Sequence, residues 1–172
     1  LLARVDGLLR ERRRIGAQLQ AGEARFEGLF DLAPIALTTS GRDGRILLMN
    51  RAFVALFGYT LEDIPTVADF RRRALPDAEA RQVNEQEWQR RWQSTGARPG
   101  EPREQAMVCA DGTHKTVLST RMRLGEEMIL AVVDITAQKM AETELRRRNE
   151  ELERFDRASI GRELEMIRLK RQ

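Results

Sequence analysis

The stretch EQAMVCADGTHKTVLSTRMRLGEEMILAVVDI, residues 104–135, decides the fold. It divides into three apolar, β-prone runs at 104–110, 113–124 and 127–135. Asp111-Gly112 and Gly125-Glu126 separate them. Such dipeptides suit tight reversals, because glycine accepts a positive φ with no Cβ to clash. Three strands joined by two tight turns make an antiparallel meander.

Two more strands are legible upstream. IALTTS (35–40) and RILLM (45–49) flank GRDG, with Asp43-Gly44 at the turn. Asn50 follows as a helix N-cap ahead of RAFVALFGY, which Gly58 ends. Thr60 can cap a further short helix, TLEDI. Residues 65–104 are less regular, apart from a helical run that starts after Pro76-Asp77 and carries Trp88 and Trp92 on one face. From Thr136 onward the pattern is helical, with no proline after Pro102. The order is helix, two strands, short helices, three strands, helix. This predicts an α+β module with a five-stranded antiparallel sheet between two long helices.

Both ends carry heptad spacing. At the N-terminus Val5, Leu8, Ile15 and Leu19 fall on alternating steps of three and four, with faults at Arg12 and Gly22. At the C-terminus Leu145, Leu152 and Phe155 hold one phase, and Ile160, Leu164 and Ile167 hold another. The phase slips near Ser159 and Gly161. Both stretches read as coiled-coil seams of a homodimer, most simply a parallel one. The predicted organisation is an N-terminal coiled-coil helix at 1–25, a core at 26–136 and a C-terminal helix at 137–172. The chain starts at Leu1 without a methionine and is read as a piece of a longer protein.

Composition narrows the function classes. The chain has 172 residues, a net charge of +3 and 41% hydrophobic residues, enough for one core. No run approaches the roughly 18 apolar residues of a membrane span. The sequence pI near 9.6 invites a nucleic-acid reading. The positive excess, however, belongs to the two helical extensions, while 26–136 is slightly acidic, so no nucleic-acid partner is expected. The arginine runs at 12–14, 71–73 and 146–148 read as solvated faces. The arginines at 146–148 with the following glutamates also suit pairing across a dimer. One cysteine and one histidine exclude a disulfide framework and a Cys-based zinc site. No phosphate loop, carboxylate dyad or nucleophile–base pair is present, so no catalytic site or metal site is expected.

RFEGLFDLAPIAL (25–37), DGRILLMNRAFVALFGYTLEDI (43–64), ADGTHKTV (110–117) and VVDITAQKMAETELRRRNEEL (132–152) together resemble the PAS sensory domain family. The resemblance covers about 26–152. It implies a five-stranded antiparallel sheet with helices on one face. It further implies a sensory, dimerising module in the cytoplasm of a bacterial signalling protein, upstream of a histidine kinase, a diguanylate cyclase or a transcription activator. The light-sensing flavin branch resembles a Gly-x-Asn-Cys-Arg-Phe-Leu motif absent here, so a flavin of the Cys-adduct type is disfavoured. Haem is disfavoured too, because His114 sits beside a hairpin turn. Cys109 reads as a small apolar strand residue.

The candidate pocket residues are Met49, Phe53, Phe57, Trp88, Trp92, Met107, Leu118, Met122 and Val132. Each could face a small unidentified ligand or simply pack. The candidate relay junction is Asp134, Ile135 and Thr136, where the last strand gives way to the long helix. Thr136 can cap that helix, and Asp134 needs a partner, an arginine or a backbone donor. Two alternatives stay open: a ligand-free dimerisation scaffold, and a regulatory part of an enzyme or transcription factor.

Overall fold

The structure, a computed structural model, describes residues 21–94 and 99–169, with side chains described as far as Phe155. The chain forms two units, Leu1–Asp134 and Ile135–Gln172. The predicted seam at Val5, Leu8, Ile15 and Leu19 lies outside the described residues, as do the side chains of Ile160, Leu164 and Ile167.

The first unit opens with a helix over residues 21–32 (α1). Strands β1 (Ala36–Gly41) and β2 (Ile46–Met49) follow, then helices α2 (Arg51–Phe57), α3 (Val67–Ala74) and α4 (Ala78–Gln93). The meander β3 (Arg103–Val108), β4 (His114–Leu124) and β5 (Glu127–Asp134) completes the sheet. All five strands pair antiparallel in the order β2-β1-β5-β4-β3. The turns use Gly44, Gly112 and Gly125 at φ of 81°, 83° and 59°, a region closed to most side chains.

One face of the sheet is buried. Ala36 pairs with Val132, and Val117 lies on the same face, as does Met107 on β3. Phe53 and Phe57 of α2 and Phe70 of α3 pack onto it, with ring centroids 4.8 to 5.4 Å apart. Burying each such ring stabilises the fold by roughly 1.5–3 kcal/mol. The architecture is therefore the predicted α+β arrangement, with helices over one face of a five-stranded sheet.

Two local expectations change. TLEDI forms a single turn at 61–63 rather than a helix. Asp63 Oδ2 accepts from the Thr60 amide at 2.9 Å and from its hydroxyl at 2.8 Å. Pro65 disfavours helical geometry at Ile64 and stops propagation. The irregular middle instead contains α3. Thr66 caps it by accepting from the Asp69 amide at 3.1 Å, while its hydroxyl donates to Asp69 Oδ2 at 2.6 Å. The second unit is α5 (Thr136–Leu169), which runs unbroken through Ser159 and Gly161.

Candidate functional site

The core beneath the sheet is organised by Asn50, which is fully buried. Its Oδ1 accepts from the Phe53 amide, capping α2, and from the Leu37 amide of β1, both at 2.9 Å. Its Nδ2 donates to the Phe30 carbonyl at 3.0 Å and the Ile35 carbonyl at 2.9 Å. A residue read from sequence as a local cap thus joins α1, β1 and α2. At the other end of α2, Gly58 adopts φ 74° and its amide donates to Val54 at 2.7 Å. The chain there lies against the β3–β4 turn: the Ala110 amide donates to the Phe57 carbonyl at 2.7 Å. Cys109 is buried beside it, its thiol donating to the Leu56 carbonyl at 3.4 Å.

Most of the candidate pocket residues converge. Phe53, Phe57, Met107 and Val132 belong to the core cluster, and Met49 packs against it. Trp88 and Trp92 meet edge to face at 5.8 Å on α4. Leu118 and Met122 do not join them. They alternate along β4 with the buried Val117, Ser119 and Arg121, so they stand on the opposite face of the sheet. Sequence alternation gave the two faces of β4 but not which one the helices cover. His114 is the exposed first residue of β4.

Between the sheet and helices α3 and α4 lies a small cavity of about 20 Å³. Its lining includes Trp88, Met107, Arg71, Asn84 and Arg121. The two arginines are the residues sequence reading missed. Arg71 belongs to the 71–73 run expected to be solvated, yet it is buried. Its guanidinium pairs with Glu85 and lies over the Trp88 ring, 5.7 Å from the centroid. Arg121, buried in mid-strand, donates to Asn84 Oδ1. Asn84 Nδ2 donates in turn to Gln105 Oε1 at 2.9 Å, and Gln105 Nε2 to Ser119 Oγ at 3.0 Å. Burial pushes the Arg71 guanidinium down to about 10. Burial, and then the charge of Arg71, do the same to Arg121, also to about 10. The sequence signal that could have found them is an arginine in register with the apolar face of a strand, and one on the buried side of a capped helix. Among the described residues no group of three His, Cys, Asp or Glu side chains is gathered as a metal would need.

The last strand ends at a charged corner. Lys115 Nζ donates to Asp134 Oδ2 at 3.0 Å, so a lysine of the neighbouring strand is among the partners of this carboxylate. The bond raises the Lys115 ionisation above its ordinary value. Thr136 is the first residue of α5 and Ile135 precedes it; the Ile135 carbonyl accepts from the Lys139 amide at 2.9 Å, the first bond of the helix.

Along α5, Leu145, Leu152 and Phe155 are all more than 60% exposed. The arginines at 146–148 pair within the helix. Arg146 meets Glu150 at 3.2 Å, Arg148 meets Glu144 at 2.8 Å, and Arg147 bridges Glu144 and Glu151. This one-turn spacing supports the helix itself. Among the described residues, no helix is both long and apolar enough to cross a membrane.

Residues 24–93 match the PAS domain family model. Comparison with curated protein sequences found no match. Several solved structures share the fold. The PAS domain of an HTR-like protein from Haloarcula marismortui is 22% identical, with a TM-score of 0.53, covering 72% of this chain and 99% of that one. A domain of a sensory box sensor histidine kinase/response regulator from Geobacter sulfurreducens is 18% identical, with a TM-score of 0.55, covering 67% and 96%. The PAS domain of BvgS from Bordetella pertussis is 19% identical, with a TM-score of 0.54, covering 75% and 98%.

Proposed function

The chain carries a PAS domain, and we propose that it is a sensory and dimerisation module that relays a signal through α5 to an output domain, a histidine kinase, in the bacterial cytoplasm. The observation that carries this reading is the exposed stripe of Leu145, Leu152 and Phe155 on a helix of 34 residues. Three large apolar side chains at heptad spacing favour a second copy of the same helix, because burial of the stripe is the main gain available to it. A parallel pair would carry both copies of the relay junction, Asp134 to Thr136, to one end of the seam. A shift in the sheet at β5 would then be read as a change of helix register. The Geobacter neighbour is a domain of a sensor histidine kinase, which supports the choice of output. In this reading the module's own role is non-catalytic.

A second reading keeps the dimer and drops the signal. The cavity of about 20 Å³ is small for an organic ligand, which favours a ligand-free docking scaffold. One experiment separates the two. Single cysteines at 145, 152 and 155, in a Cys109→Ser background, are oxidised in the parent protein with and without its stimulus. Disulfide cross-links at these positions, with yields that change on stimulation, are expected for the sensory module. Cross-links that never change support the scaffold, and a monomer at every concentration overturns both.

A further inference from the structure

The buried cavity between β4, α3 and α4 has a charge imbalance. Arg71, Arg121 and Arg103 bring three guanidinium groups to its surroundings, and Glu85 and Glu87 bring two carboxylates. Glu87 is taken by Arg103 at 2.9 Å, and Glu85, on the exposed side, by Arg71. Arg121, as buried as Arg71, donates to a neutral carboxamide and forms no direct ion pair among the described residues, with Glu87 the carboxylate that acts on its charge from a distance. Two further donors are orphaned: Arg71 Nε and Trp88 Nε1 are buried with no hydrogen-bond partner. Both residues line the cavity. Its volume of about 20 Å³ matches an occupant of roughly one water's size.

We propose that this cavity binds one small monovalent anion of halide size, held by Arg121, Arg71 and the indole N–H of Trp88. A water could accept from the orphaned donors, but it would leave the surplus positive charge uncompensated. An anion does both, and a buried cation without a counter-charge is among the costliest arrangements in a core. Burial is the first cause of the lowered ionisation of both arginines. The site spans the sheet and two helices, so its occupancy would alter how α3 and α4 sit on β4. That consequence for signalling rests on the sensory reading above; the binding itself does not.

The test uses the whole 172-residue chain, labelled with ¹⁵N, in sodium gluconate replaced stepwise by sodium chloride, bromide or formate at constant ionic strength. Gluconate is too large to enter. The Trp88 indole peak is assigned by its loss in Trp88→Phe. Saturable movement of that peak with chloride or bromide is the expected result. Arg121→Gln is expected to weaken the halide by about tenfold or more, the scale of one charge-assisted hydrogen bond. No movement, movement without saturation, or movement with formate alone would overturn the proposal. The unsubstituted chain decides the matter even if Arg121→Gln does not fold. Halide binding that leaves the α5 cross-links unchanged would count against the sensory reading and leave the site standing. Cross-links that respond to another stimulus, with no halide bound, would do the reverse.

Discussion

Asn50 Nδ2 lies 3.0 Å from the carbonyl oxygen of Phe30, joining the start of α2 to the last turn of α1 across 20 residues of sequence. The same amide group reaches Ile35, so one buried side chain settles how the first helix enters the sheet.

Replacing Asn50 by leucine removes all four side-chain bonds and leaves buried amides and carbonyls unpaired. The expected loss is about 2–4 kcal/mol, since each orphaned buried group costs roughly 1–3 kcal/mol. Asn50→Asp is expected to be nearly as damaging, because it turns a donor into an acceptor facing two carbonyls. Urea unfolding of both variants checks this. An aspartate variant as stable as the parent would show that the bonds to Phe30 and Ile35 contribute nothing.

Gly58 holds a left-handed conformation, and a Cβ there would stand 3.2 Å from the Cβ of Ala110. Gly58→Ala therefore meets both backbone strain and crowding. A loss of about 1–3 kcal/mol in thermal or urea unfolding is expected. Gly22→Ala, in α1 with open space around it, is expected to be neutral or stabilising by up to about 1 kcal/mol.

The Lys115–Asp134 pair is about one-third exposed on each side, so it contributes at most about 1 kcal/mol. Its pH dependence has a definite sign. The folded state raises the Lys115 ionisation above its ordinary 10.5, through the Asp134 bond first. The contribution is fully present below 10.5 and is lost as pH rises through the higher folded value. Lys115→Met should lower the urea midpoint at neutral pH, and the gap should close in the alkaline range. A gap independent of pH would mean that packing of the lysine stem, not its charge, carries the effect.

Three carboxylates held by neighbouring threonines contribute to the acid limb, Asp111 exposed and Asp63 and Asp69 half-buried. Asp63 is held below its ordinary 3.8 by the Thr60 amide and hydroxyl, Asp69 by the Thr66 hydroxyl, and Asp111 by the Thr113 amide and hydroxyl. Each contributes stability above the ordinary value that is lost as pH falls through the lower folded one. Melting temperatures of the parent and of Asp63→Asn, different at neutral pH, should converge as pH falls below 3.8 and through the lower folded value. A constant difference down to the lowest pH would contradict the assignment of these turns.

The meander was legible because its signals are local. Asp111-Gly112 and Gly125-Glu126 announce reversals, and the runs between them alternate. Helix α4 was legible for the same reason, since Asp77 accepts from the Ala80 amide at 3.0 Å only three residues on. Helix α3 was missed, although Thr66 and Asp69 have the three-residue spacing of a reciprocal cap. Three consecutive arginines hid it, and the burial of one of them cannot be read from a run of like charges. The bond from Lys115 to Asp134 was also out of reach, because the two stand 19 residues apart on neighbouring strands.

The sequence alone determined the five strands, the helices α2, α4 and α5, and their order. Backbone sterics at glycines and caps from Asn50 and Asp77 act within a few residues, so their outcome does not wait for the rest of the chain. Only the tertiary structure decided which faces meet. It set β5 between β1 and β4, turned Leu118 and Met122 away from the helices, and enclosed Arg71 and Arg121 beside Trp88. Those outcomes depend on contacts between residues far apart in sequence. Burial of a charge is a property of the assembled core, not of the residues beside it in the chain.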